Sequence, residues 1–176
     1  MPRNLEVKAK ITTIESARVL AESIHANYAG TLHQTDTYFR VSNGRLKLRE
    51  INGTHAELIR YEREESSSRR ESRFDVCPIK NLDGIKSLLR VACGVRGVVE
   101  KTRILYLLDG STRIHLDEVK DLGVFLEFEV PVAKEEEASE QLEFLIKHFG
   151  IQQSDFVKNS YIDMLPQRGE SSSENV

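Results

Sequence analysis

The chain has no tryptophan, only two cysteines, and no apolar run approaching the roughly 20 residues that a membrane-spanning helix requires. Cys77 and Cys93 have neither metal-ligand nor redox spacing, and no leader pattern precedes them, so they are expected to be reduced thiols of a soluble, cytoplasmic protein. Charge of one sign is also missing: 25 Lys and Arg stand against 28 Asp and Glu. A net charge of −3 gives no global basic field, so neither nucleic acid nor an anionic membrane is expected as a partner. A Gly-rich phosphate loop, a Ser/His/Asp nucleophile pattern and a His-rich zinc signature are all lacking.

What the chain does have is charge in unusual order. Of its 176 residues 30% are charged, above the usual quarter, and the length fits one domain. Residues 5–11 alternate apolar and charged side chains, the period of a strand. Thr12 with Glu15 reads as a capping box for a helix through Ile24, and Gly30 reads as the loop behind it. Strands are expected at 34–40, 44–50 and 55–63, with turns at Asn43-Gly44 and Asn52-Gly53. The stretch 64–72, rich in Ser, Glu and Arg, has nothing to bury and is expected to be a mobile connection, with a short strand at 72–77 before Pro78. A helix over 82–93, strands at 97–108, 111–119 and 123–131, and a helix over 134–149 follow. Ser154 is positioned to cap a closing helix through Met164, and the tail from 166 to 176 is expected to be disordered, leaving residues 1–165 as the domain. Seven or eight strands with a few helices indicate an antiparallel α+β fold whose sheet closes on itself.

Residues two apart on a strand share a face. Glu6, Lys8 and Lys10 oppose Leu5, Val7 and Ala9; Arg45, Lys47 and Arg49 oppose Leu46 and Leu48. Lys101 with Arg103, Arg113 with His115 and Asp117, and Glu127 with Glu129 obey the same rule. A wet outer face would serve any one of these strands, but would mix its signs, whereas here one strand is wholly basic and another wholly acidic. Turned into a barrel lumen, such charges need guests. Glu6, Asp117, Glu127 and Glu129 form an all-oxygen set suited to Mg²⁺ or Mn²⁺, and the cations suit phosphate oxygens.

These residues resemble the CYTH family of triphosphate tunnel enzymes, which groups class IV adenylyl cyclases with thiamine triphosphatases. The resemblance rests on Glu6-Val-Lys-Ala-Lys10, Gln34-Thr-Asp-Thr-Tyr-Phe39, Arg45-Leu-Lys-Leu-Arg49, Lys101-Thr-Arg103, Arg113-Ile-His-Leu-Asp117, Leu122-Gly-Val-Phe-Leu-Glu-Phe-Glu129 and Ser160-Tyr-Ile-Asp163. It implies a closed eight-stranded antiparallel tunnel with flanking helices, and metal-dependent attack on a triphosphate-bearing small molecule by a monomer or homodimer. It further implies metal binding by Glu6, Asp117, Glu127 and Glu129, the last three also catalytic. Phosphate contacts are implied for Lys8, Lys10, Arg45, Lys47, Arg49, Arg60, Lys101, Arg103 and Arg113. Lys8 departs from the family's Glu-x-Glu-x-Lys signature, placing a cation where relatives carry a second glutamate. His115 shares the inward parity and fits a structural role as well as a catalytic one. Hydrolysis of the terminal phosphoryl is the leading reading; an adenylyl cyclase and a phosphate-binding module without turnover are the alternatives.

Overall fold

The computed structural model describes residues 3–63 and 70–166. Eight antiparallel strands, β1 (Arg3–Lys10), β2 (Asn27–Phe39), β3 (Arg45–Ile51), β4 (His55–Arg63), β5 (Arg70–Ile79), β6 (Val95–Leu108), β7 (Thr112–Val119) and β8 (Gly123–Pro131), form one curled sheet. Four helices flank it: α1 (Ile14–Ser23), α2 (Leu82–Cys93), α3 (Glu135–His148) and α4 (Tyr161–Met164). The hydrogen-bonded order is β1-β5-β4-β3-β2-β6-β7-β8, and it returns to its start as a barrel because β8 also pairs with β1, from Asn4↔Pro131 to Lys10↔Phe125.

The alternation along the strands decides which face is which. Leu5, Val7, Ile114, Leu116, Leu126, Phe128 and Val130 point outward and are covered by Ala17 and Ala21 of α1 and by Ala138, Leu142 and Leu145 of α3. The main core therefore lies outside the sheet, beneath the helices, which leaves the charged faces to the interior. A smaller cluster of Tyr38, Val99, Val119, Phe125, Tyr161 and Ile162 closes one end, with the Phe125 and Tyr161 rings 5.1 Å apart. Here Gly97 is needed for close approach, since a Cβ would fall 2.6 Å from Cδ1 of Ile162. In the β3–β4 connection the Thr54 amide donates to the Ile51 carbonyl at 3.1 Å, and Asn52 and Gly53 between them have φ of 52° and 67°, the paired positive values of a type I′ turn.

Several boundaries differ from expectation. Thr13 caps α1, its hydroxyl accepting from the Ser16 amide at 3.3 Å, so the cap sits one residue beyond Thr12. Gly30 lies within β2, at a register shift opposite β6, where φ of 137° accommodates a bulge that alternation alone reads as a loop. β5 extends from Arg70 to Ile79, longer than the 72–77 strand, and includes Pro78 paired with Glu57. Long pairing with β4 overrides the local breaker. Residues 64–69 and the tail from 167 onward, expected to be mobile, lie outside the described residues. Ser154 does not cap the closing helix: a single 3₁₀ turn at Gln153–Asp155 gives way to Phe156 and Val157, and the Val157 amide donates to the Lys8 carbonyl at 2.9 Å. The short α4 is instead capped by Ser160. Among the described residues no helix is long and apolar enough to cross a membrane.

Candidate functional site

The interior holds a cavity of about 400 Å³. Its basic lining is Lys8, Lys47, Arg49, Lys101, Arg103 and Arg113, and its acidic lining is Glu6, Glu57, Glu127 and Glu129. A less polar arc comes from Ile59 on β4 and from Phe74 and Val76 on β5.

Register orders these groups into rows across β1, β8 and β7. One row is Glu6, Glu129, Arg113; the next is Lys8, Glu127, His115; the third is Lys10, Phe125, Asp117. The first two rows place like carboxylates and their cations side by side. Arg113 donates to Oε2 of Glu129 at 2.9 Å, Arg103 to Oε2 of Glu127 at 3.0 Å, and the Lys8 ammonium lies 3.7 Å from Oε1 of Glu127. Lys8 also sits 4.0 Å above the Tyr161 ring, a cation–π contact. Burial disfavours the ionised form of Glu127, but Lys8 is the largest opposing influence and its carboxyl is held well below the usual range.

Two aspartates hold the basic wall from behind. Asp36 accepts from Lys47 at 2.9 Å and from both ends of the Arg49 fork at 2.7 and 2.8 Å. Asp117 is 0% exposed. It accepts twice from Arg103 at 2.6 Å and once from the Tyr161 hydroxyl at 2.9 Å, with Lys101 at 3.7 Å. Burial opposes ionisation of each, yet Arg49 and Lys47 for Asp36, and Arg103 and Lys101 for Asp117, hold both carboxyls below their ordinary value. The two lysines are lowered as well, which for an ammonium works against the charge. Burial, then Arg49, pushes Lys47 down to about 8, and burial, then Arg103, pushes Lys101 down to about 7. Their neighbours thus position these lysines and ease the loss of their protons, Lys101 more than Lys47.

The structure brings most of the expected residues together and sets four apart. Asp117, expected as a metal ligand and catalytic group, does not line the cavity; its oxygens are turned to Arg103, Tyr161 and Lys101. Lys10 has the inward parity but lies at the exposed end of β1 beyond the cavity. Arg45 sits at the end of β3 and pairs with Asp163 at 2.8 Å, outside the lining. Arg60 has the opposite parity to the lining residues Ile59 and Tyr61 and pairs with Glu62 on the outer surface. Of the four expected metal-binding carboxylates, Glu127 and Glu129 converge, while Glu6 occupies the cavity wall beside them.

Two residues carry more than the sequence indicated. Asp36 was visible only as part of a motif, although the Asn-Gly turn fixes the β2–β3 register that sets it opposite Arg49. His115 is 4% exposed, and its Nδ1 has no hydrogen-bond partner. Nδ1 lies 3.5 Å from Oε1 of Glu129 and 3.8 Å from Oε2 of Glu127. One ligand atom from each of the three residues lies within 4.8 Å of the others, a cluster that a modest inward shift of the carboxylates would let share an ion. Burial, then Arg103, lowers the His115 pKa and favours the neutral, ligand-competent ring.

Comparison with known proteins matches this architecture. Protein PH1012 of Pyrococcus horikoshii OT3 superposes with a TM-score of 0.83 at 26% identity, covering 93% of this chain and 99% of its own. A candidate adenylate cyclase from Vibrio parahaemolyticus gives 0.76 at 20% identity, over 91% and 95% of the two chains. HpAC1 of Hippeastrum, a candidate adenylyl cyclase said to reveal a dominant triphosphatase activity, gives 0.68 at 16% identity, over 94% and 99%. The last two likenesses establish the fold alone. No curated protein matches the sequence. The CYTH domain profile, however, matches residues 2–161, and the chain belongs to the CYTH domain family.

Proposed function

We propose that this protein is a cytoplasmic, metal-dependent triphosphatase that works on a triphosphate-bearing small molecule inside its barrel, used as a tunnel. The observation that carries the reading is the cavity of about 400 Å³, in which six basic side chains surround the convergent Glu127 and Glu129. The lining cations exceed the lining carboxylates, but Asp36 and Asp117 behind them balance the charge, so the barrel can fold without a ligand. A polyanion entering this space upsets that balance unless a cation accompanies it. Glu127 and Glu129, with the unpartnered Nδ1 of His115 turned to them, fit a divalent ion, and Glu6 stands in the adjacent row.

Lys47, Arg49, Lys101 and Arg103 hold the phosphate chain from the β3 and β6 side, and Lys8 and Arg113 reach it from β1 and β7. Asp36 and Asp117 keep those forks in place. When bound, Mg²⁺ or Mn²⁺ supplies charge neutralisation at the terminal phosphoryl and lowers the pKa of a coordinated water. Attack of a water on the γ-phosphorus would break its bond to the bridging oxygen and leave orthophosphate and the corresponding diphosphate, with the proton leaving on the orthophosphate, while Glu127 and Glu129 would hold the ion.

The Lys8–Glu127 contact favours a second reading, a binding module without turnover, because an ammonium stands beside the ion's ligands. Incubation with ATP, thiamine triphosphate and inorganic tripolyphosphate, each with Mg²⁺ and with Mn²⁺, tests both. Orthophosphate release supports the hydrolase, cyclic AMP with diphosphate supports a cyclase, and binding without product supports the module.

A further inference from the structure

We propose that His115 is a direct nitrogen ligand of the ion held by Glu127 and Glu129, making a mixed imidazole–carboxylate site that takes Mn²⁺ or another first-row divalent ion in preference to Mg²⁺. The inference rests on the reading that those two glutamates bind a metal, and goes beyond it in the ligand set and the selectivity.

The argument starts from the orphaned atom. A buried polar group without a partner is destabilising, so its retention calls for a reason. Nδ1 of His115 is such an atom. At 3.5 and 3.8 Å from the two carboxylate oxygens it makes no well-formed hydrogen bond to either, only the long contact through which His115 and Glu127 influence one another. Those separations suit a shared ion. Two ligands each about 2.1 Å from one metal lie about 3.0 Å apart at a right angle, about 3.4 Å apart at the tetrahedral angle, and cannot exceed about 4.2 Å. Arg113 engages Oε2 of Glu129, which leaves Oε1 as the oxygen turned to the ring.

The row structure sets the side on which the ion sits. Glu127 faces His115 across β7 and Lys8 across β1. The Lys8 ammonium, 3.7 Å from Oε1 of Glu127 and 4% exposed in its side chain, already supplies positive charge on its own side and repels a cation there. On the imidazole side Oε2 of Glu127 accepts from Arg103 at 3.0 Å, so an ion held there by Glu129 and His115 takes the place of that hydrogen bond. Mg²⁺ prefers oxygen ligands and gives up water reluctantly, whereas imidazole nitrogen suits the first-row transition ions.

Electron paramagnetic resonance of Mn²⁺ added to the intact protein reads the ligand directly. Pulsed measurements are expected to show coupling to a ¹⁴N nucleus, replaced by the ¹⁵N pattern when histidine is ¹⁵N-labelled and lost in His115→Gln. Free-Mn²⁺ titrations should show a loss of affinity in that variant of at least the roughly tenfold that even an outer-shell partner can be worth. Mg²⁺ affinity, set by oxygens, should hold. Mn²⁺ bound without nitrogen coupling, or with equal affinity in wild type and a folded His115→Gln, overturns the inference; His115→Asn serves if the Gln variant melts early by circular dichroism. Glu129→Gln separates the two layers. If it leaves Mn²⁺ binding intact, the carboxylate site itself fails; if it weakens binding while His115 proves silent, only the imidazole ligand fails.

Discussion

Asp117→Asn distinguishes a group that reacts from a group that holds others in place. The carboxylate is fully buried, takes two hydrogen bonds from Arg103 at 2.6 Å and one from Tyr161 at 2.9 Å, and has Lys101 at 3.7 Å. The amide keeps the shape but removes the charge and turns a donor toward donors. Removing one partner of a buried pair costs about 3–5 kcal/mol. For a domain of this size, at about 2–4 °C per kcal/mol, Tm should fall by about 6–20 °C. The pH dependence has a definite sign. The folded-state pKa of Asp117 is depressed because Arg103 and Lys101 outweigh burial, so its contribution is present above the unfolded carboxylate value and is lost as pH falls through the folded one. The gap in Tm between wild type and variant should therefore narrow in acid, and around neutrality it should grow as pH falls, because Lys101, held at about 7 with help from Asp117, takes its proton in the wild type first. Thermal denaturation followed by circular dichroism from pH 3 to 8 measures it. An unchanged Tm together with abolished phosphate release would return Asp117 to the reacting centre and refute the reasoning.

Lys8→Glu sets a carboxylate directly opposite Glu127, and the apo protein should melt earlier, with Mn²⁺ restoring Tm and the activity curve acquiring a second metal dependence; superimposable metal titrations of wild type, Lys8→Ala and Lys8→Glu would place Lys8 outside the site. Because burial, followed by Arg49 and Arg103 respectively, holds Lys47 near about 8 and Lys101 near about 7, triphosphate binding at pH 8 should take up protons and weaken from pH 6.5 toward 9. Calorimetry in buffers of different ionisation heat checks this, and zero proton uptake contradicts it. Gly97→Ala should press on Ile162 and loosen the closing segment, lowering Tm by about 2–4 °C for the roughly 1 kcal/mol of mild overpacking; an unaltered Tm would mean that the contact relaxes without cost.

Strand parity made the interior legible. Two-residue periodicity in β1, β3, β6, β7 and β8 correctly put Lys8, Lys47, Arg103, Arg113 and Glu127 on one side of the sheet. It could not tell how deep along a strand the cavity runs, and so Lys10 and Arg45, at strand ends, were expected in a lumen that they do not line. Arg60 was misplaced because its position was inferred by analogy against its own parity. Asp117 has the right parity, but the row of Lys10, Phe125 and Asp117 lies toward the closed end, where Arg103 and Tyr161 surround the carboxylate. Helix ends were less legible still: α4 is short because Phe156 and Val157 return to pair with β1, a tertiary demand that no local pattern around Ser154 records.

Orthophosphate release with Mn²⁺ in wild type and Glu129→Gln tests whether Glu127 and Glu129 organise metal-dependent cleavage of a triphosphate. A measurable wild-type rate that vanishes on chelation is expected. So is a folded variant slowed by orders of magnitude that still binds triphosphate without metal. Equal rates in the two proteins, or release unaffected by chelation, would contradict that role of the two glutamates.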